Sequence, residues 1–257
     1  MKRILNGSLI ATTFLSASVL AKNNIELVYL EPNSEDEKAV KSLLVSSGVN
    51  ELVVGFGENL FPFDKPLTIE YGSDDGPLFD PESNTVQIPY FFVSEAQNYF
   101  AKNSYEKKYG KKAEQGAIDT VLHTLLHELG HAYIVDKQIP VLGKEEDAVD
   151  NLATIVMIEY VENGADAAIS AADMFDFETE GQPDHYQLVE YAGEHSFNLQ
   201  RYFQTLCLVY GSNAEKFSGL LDEIGKDYRE EREGYCEYNY DTISTNWHTY
   251  LGELQNK

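Results

Sequence analysis

The chain reads as an α+β protein, a small N-terminal sheet leading into a larger helical body, on three observations. Short β-branched and aromatic runs end at Tyr90, helical periodicities fill the chain from Ser94 onward, and no internal repeat, low-complexity tract or long linker divides the two regions. We therefore expect a sheet-containing part over 22–92 and a helical part over 93–257, together forming a single domain. A length of 257 residues with 43% hydrophobic and 12% aromatic content supplies core material for such a unit and excludes disorder, collagen and coiled coil. The 19 Lys and Arg against 43 Asp and Glu leave a net charge of −24, which repels phosphate backbones and anionic headgroups, so nucleic acid is not an expected partner. No run approaches the ~18 apolar residues of a membrane-spanning helix. Oligomeric state is not legible in the sequence.

Lys2 and Arg3 precede an apolar stretch from Leu9 to Leu20 and the small-residue site Val19-Leu20-Ala21, the pattern of a signal peptide cleaved after Ala21. A first core strand or helix is the alternative, and the charge placement favours the signal. An exported chain, periplasmic or extracellular, is the expectation, and its two cysteines, Cys207 and Cys236, then form a disulfide rather than two free thiols.

Ile25 to Glu31 alternates like a strand, and Glu35 to Leu60 has helical spacing with a glycine-rich end at Gly55 and Gly57. Leu67 to Tyr71 and Thr85 to Tyr90 are short strands separated by acidic turns, Gly72 to Gly76 and Asp80-Pro81. Thr85 to Tyr90 is read either as a sheet edge that aligns an extended peptide or as a buried hairpin strand. Asp74, Asp75 and Asp80 match no complete calcium loop, so a solvated acidic turn is the better reading. Helical patterns follow over Ser94 to Tyr109, Ala113 to Lys137, Glu145 to Met174, Tyr186 to Tyr210 and Ala214 to Tyr228, with a tail through Trp247. The tyrosines of Tyr235 to Tyr240 are read as packing and surface.

One string carries chemistry. His127-Glu128-Leu129-Gly130-His131 is an HExxH motif, which on a helix sets its two imidazoles about 6 Å apart along the axis and about 40° around it, within reach of one cation. With His127 at 0°, Glu128 falls near 100°, while Val121, Leu122, Leu125, Leu129 and Ala132 fall between about 120° and 220°. The polar trio thus has its own face opposite an apolar stripe, and Gly130 removes a side chain beside the ion. A catalytic zinc keeps three protein ligands and an open fourth position. Pro140 and Gly143 turn the chain back, and Glu146 and Asp150 then stand i, i+4 on the next helix. Glu146 is placed to complete the ligand set, with Asp150 taking the distal N–H of a ligating His. The competing reading is an acidic helix N-terminus, with Glu145 and Asp147 as capping charges.

The HExxH string followed by Glu146-x-x-x-Asp150 resembles the gluzincin pattern of zinc metallopeptidases. More closely, Leu78 to Pro81, Val141 to Asp147, Glu194-His195-Ser196 with Gln200-Arg201, and Cys207 to Gly211 resemble an exported bacterial family of inferred metallopeptidases, over most of the chain. The resemblance implies a zincin-like fold, a Zn²⁺ cofactor, a peptide or protein substrate, and the ligands His127, His131 and Glu146 with Asp150 orienting. Cys207 and Cys236 match one disulfide of the family; the family often flanks the acidic turn with cysteines, whereas this chain has Tyr71 and Pro89 nearby. Glu128 is then the general base for a metal-activated water. The gluzincin pattern also takes an oxyanion donor from a later helix, for which His195 is the candidate. The alternative function is a non-catalytic periplasmic binding or inhibitory protein that keeps the metal for structure, a role that gives Glu128 no task and usually uses four protein ligands.

Overall fold

The computed structural model describes residues 24–179 and 186–252; the expected leader and its cleavage point after Ala21 lie outside the described residues. Four strands form one sheet: β1 (Ile25–Tyr29), β2 (Leu67–Tyr71), β3 (Leu78–Asp80) and β4 (Thr85–Ile88), in the order β1-β2-β4-β3. The first three neighbours in that order are parallel, and β3 closes one edge antiparallel to β4, with Phe79 opposite Val86. β2 alternates as a half-covered strand should, burying Leu67, Ile69 and Tyr71. The run from Thr85 is therefore an interior strand, flanked on both sides. The edge belongs to β3, whose three residues are too short to show a period within the acidic turn.

The chain is α+β as expected, but several of the long helical patterns are broken. Glu35 to Leu60 divides into α1 (Glu35–Ser47) and α2 (Val49–Asn59) at Gly48, whose left-handed φ of 79° ends the first helix where a Cβ would be strained. Helix α3 (Tyr90–Lys102) starts before Ser94, straight after Pro89 ends β4, and a left-handed Ser104 separates it from α4 (Tyr105–Tyr109). Helix α5 (Ala113–Lys137) is as read. The pattern from Glu145 to Met174 is two helices, α6 (Glu145–Tyr160) and α7 (Gly164–Phe177), broken at left-handed Asn163. Tyr186 to Tyr210 resolves into a single turn, α8 (Leu188–Tyr191), and α9 (Asn198–Ser212). Ala214 to Tyr228 is not one helix: turns and one 3₁₀ turn at Asp222–Ile224 lead into α10 (Lys226–His248), which takes only its last three residues.

Helix α5 runs through the centre of the body. Its stripe of Val121, Leu122, Leu125, Leu129 and Ala132 is buried in one core that also contains Ile69 and Val86 of the sheet, Val149 and Leu152 of α6 and Trp247 of α10. Cys207 and Cys236 form a disulfide between α9 and α10. Glu159 of α6 ties down the same helix by accepting from Tyr240, Ser244 and His248 of α10. Among the described residues no single helix is long and apolar enough to cross a membrane.

The far end of α5 is held by a polar network. Lys111 donates to Asp119, to the Asp166 carbonyl and to Ser170, while Tyr105 donates to Asp173 at 2.5 Å. Burial pushes Asp173 up to about 6 against the Tyr105 hydrogen bond, with Asp176 adding repulsion. The folded state thus holds this proton more tightly than the unfolded chain, so the group's contribution to stability grows as pH falls through 6 and is complete below about 4. Asp173→Asn keeps an acceptor for Tyr105 and is expected to stabilise the fold by about 1–2 kcal/mol at pH 8 and by almost nothing at pH 4, read by urea unfolding at the two pH values.

Candidate metal centre

His127 and Glu128 are buried in the middle of α5, and His131 one turn on is partly covered. Their face looks away from the apolar stripe, as the helical angles require. Gly130 serves a different purpose from the one its place beside the ion suggested. A Cβ there would lie 2.9 Å from Cγ1 of Val149, so the missing side chain lets α6 pack close against α5. That approach brings the N-terminal turn of α6, with its row of carboxylates, up to the imidazoles.

Three donor atoms converge. His127 Nε2 lies 3.1 Å from Glu146 Oε2 and 3.2 Å from His131 Nε2, and the third side, His131 Nε2 to Glu146 Oε2, is 3.4 Å. A tetrahedral ion bonded at 2.0–2.1 Å needs donors about 3.3–3.4 Å apart, so these atoms form one face of such a site, and two nitrogens with one carboxylate oxygen suit a divalent metal. Both rings are turned to present Nε2. Asp150 Oδ1 is 2.7 Å from His127 Nδ1, and Glu145 Oε1 is 2.8 Å from His131 Nδ1, so each imidazole has a carboxylate behind it. Glu145 thus pairs with a His instead of merely capping its helix.

Asp150 is itself buried, and a buried carboxylate needs more than one partner. Arg201 of α9 supplies it, donating from Nε to Oδ2 at 2.7 Å and from Nη2 to Oδ1 at 2.9 Å, with its guanidinium 4.0 Å above the Phe175 ring. Burial opposes the Asp150 charge, but the His127 and Arg201 hydrogen bonds hold its carboxyl well below the usual range. Glu146 is likewise held far down by its His contacts in spite of burial. On His127 burial opposes protonation, yet Asp150 and Glu146 outweigh it and raise the ring to about 9. Glu128 has no such partner among the hydrogen bonds described, and burial pushes its carboxyl up.

His195 is not on a helix. It sits in the turn before α9, half exposed, with Nε2 2.8 Å from Glu146 Oε2 and its ring stacked 6.1 Å from that of His127. The donor atoms of His127, Glu146 and His195 also all lie within 4.8 Å of one another, a second set of three that could hold a metal ion. The turn is pinned to α6: Lys144 Nζ donates to the carbonyls of Gly193 and His195, and Ser196 donates to Asp147 at 3.0 Å. Asp147, like Glu145, therefore has a specific partner.

His127, Glu128, His131, Glu145, Glu146 and His195 line a cleft of about 780 Å³, which Leu78 and Phe79 of β3 also line. The fold thus brings together His127, Glu128, His131, Glu146, Asp150 and His195, all six residues singled out for the site. Arg201, Lys144 and the orienting role of Glu145 were not foreseen. Beyond its place in the Gln200-Arg201 stretch, Arg201 left a second signal, a charge leading into the apolar run Tyr202 to Tyr210, where a buried Arg demands a carboxylate partner.

No curated protein and no solved structure matches the chain significantly. One family model, described as "Putative metallopeptidase", matches residues 29–251, from the end of β1 to beyond α10. A metal and a peptide substrate are what that family implies, and the cleft contains the donor cluster such a protein needs. On a match over nearly its whole length, the chain belongs to this metallopeptidase family.

Proposed function

We propose that the protein is an exported zinc metallopeptidase of the gluzincin type, acting as one unit over 22–257 and hydrolysing peptide bonds in its cleft. The observation that carries this reading is the triangle of His127 Nε2, His131 Nε2 and Glu146 Oε2 with the buried carboxyl of Glu128 beside it. These three side chains would hold the zinc, leaving its fourth position to the cleft. When bound, the ion supplies a polarising charge that lowers the pKa of a water to near 7 and draws out the scissile carbonyl oxygen. Glu128 accepts the proton of the attacking water and delivers it to the leaving amine; burial, by raising its pKa, brings this carboxyl nearer the neutral range where a shuttling base works best. Asp150 and Glu145 hold the His rings in the productive tautomer, and His195 donates to the oxygen on which charge develops. An extended substrate would lie along β3, the edge strand of the cleft wall, and add to the sheet. Export agrees with a disulfide that persists in oxidising compartments.

One observation favours a second reading. His195 Nε2 lies only 2.8 Å from Glu146 Oε2, so a loop adjustment would make it a fourth protein ligand and close the site around a structural zinc. His195→Ala separates the two. A substrate-facing His195 predicts unchanged zinc stoichiometry and a rate lower by about 10²- to 10³-fold, whereas a fourth ligand predicts weakened zinc binding. Zinc content by atomic emission and digestion of an unfolded protein give both readouts.

A further inference from the structure

The cleft at the metal cluster is short of positive charge. Glu128, Glu145, Glu146 and Glu194 line it, and Lys144 is the one Lys or Arg among the described residues that do so. A divalent ion would cancel two of these carboxylates and Lys144 a third, so one negative charge stays in excess. The chain around it carries a net charge of −24, which draws cations toward the cleft from a distance.

All but one of the charged groups are occupied. Glu146 Oε2 belongs to the donor triangle, Glu145 stands 2.8 Å from His131 Nδ1, and Glu128 is the base of the proposed reaction. Lys144 Nζ donates to the carbonyls of Gly193 and His195 and pairs with no acid. Glu194 is left over. Its side chain is exposed, lines the cleft, and has no hydrogen-bond or ion-pair partner among the described residues.

Its backbone, by contrast, is held. The two carbonyls that accept from Lys144 stand on either side of Glu194, and Ser196 donates to Asp147, so the turn is fastened to α6. A free carboxylate on a braced turn is pre-organised, because pairing it orders one side chain and not a loop. The chain also fixes its distance from the chemistry. Glu194 precedes His195, whose Nε2 is 2.8 Å from Glu146 Oε2. Neighbouring Cα atoms are about 3.8 Å apart and an extended peptide advances about 3.3 Å per residue, so Glu194 reaches side chains up to about two positions from the scissile bond. Pro77, Leu78, Phe79 and Val135 line the same cleft, apolar surface on which a methylene stem can lie while its charged end meets a carboxylate.

We infer that Glu194 is a specificity-determining residue that pairs with a lysine or arginine side chain of an extended peptide, making basic peptides the preferred substrates. An acidic side chain at that position meets like charge, and a neutral one leaves Glu194 with water as its partner. That the bound peptide is a substrate rests on the peptidase reading; the pairing itself does not.

Two measurements on the full, zinc-loaded chain keep those apart. The first uses Glu128→Gln, which binds peptide without turning it over, and peptides blocked at both ends in which one central residue is lysine, norleucine or glutamate. By calorimetry the lysine peptide is expected to bind about five- to tenfold tighter than the norleucine peptide at low salt, and less so as salt is raised. Adding Glu194→Gln should bring that ratio close to one, and adding Glu194→Lys should turn the preference to the glutamate peptide, with zinc content the same throughout. Equal binding of the lysine and norleucine peptides, no binding of either, or a ratio that ignores position 194 overturns the proposal whatever the activity. In the second, cleavage sites in an unfolded protein are mapped by mass spectrometry for wild type and Glu194→Lys. Lysine or arginine is expected within about two residues of the bonds cut by wild type, and aspartate or glutamate in their place for the variant. Cleavage that ignores basic residues sinks the substrate assignment. Absence of any cleavage, with the lysine peptide still bound through Glu194, sinks the peptidase reading and spares the pairing.

Discussion

Glu128→Gln should bind one zinc per chain as the wild type does and lose peptide-bond hydrolysis by about 10²- to 10⁴-fold. The substitution conserves shape and removes only the ability to take and return a proton. Glu128 is separate from the three converging donor atoms, so metal affinity should survive. Stability should not fall either, because burial already disfavours the charged carboxylate there, and a neutral amide removes that cost. Initial rates on a quenched unfolded protein, beside zinc content and the melting temperature, make the comparison. An activity drop with lost zinc would indicate that Glu128 helps to hold the metal. Retained activity with full zinc would remove it from the proton path altogether.

The largest stability effect should come from Arg201→Leu. The change leaves Asp150 buried beside a single imidazole and deletes the guanidinium over Phe175, so a loss of about 3–5 kcal/mol is expected, the size seen when one member of a buried pair is removed. For a chain of this length that lowers the melting temperature by on the order of 10 °C. It should be measured on metal-free protein, because bound zinc would add its own stabilisation. The zinc-loaded form should show affinity lower by about 10- to 100-fold, since Asp150 would no longer fix the His127 ring. Adding Asp150→Asn to Arg201→Leu removes the stranded charge and should restore part of the stability but not the affinity. A loss below 1 kcal/mol in the single variant would mean that solvent reaches Asp150 and that the pair is not a buried brace.

How much of the site the sequence discloses follows from how far apart its parts lie along the chain. His127, Glu128 and His131 sit in five consecutive residues, and Glu146 and Asp150 one helix away, so helical angles alone place each group on its face. Arg201 is 51 residues from Asp150, and the Lys144 and Asp147 anchors of the His195 turn span about as much. Such pairings exist only once α9 packs against α6, and no local pattern announces them. The fold divides in the same manner. The stripe on α5 and the alternation of β2 are periodic over many residues and were legible. The breaks at Ser104 and Asn163 are single non-glycine residues at positive φ, which tertiary packing imposes and composition does not signal. The segment 214–225 has helical spacing yet turns instead, with Leu221 buried and packed against the disulfide between α9 and α10.

The proposed function requires one ion held by three side chains from two helices. Zinc-edge anomalous scattering from crystals of the zinc-loaded protein tests it most directly. One peak per chain is expected, bonded to His127 Nε2, His131 Nε2 and a carboxylate oxygen of Glu146, with no fourth protein ligand. A peak that also bonds His195 would make the site a closed structural one, and the absence of any peak between α5 and the start of α6 would contradict the metal centre itself.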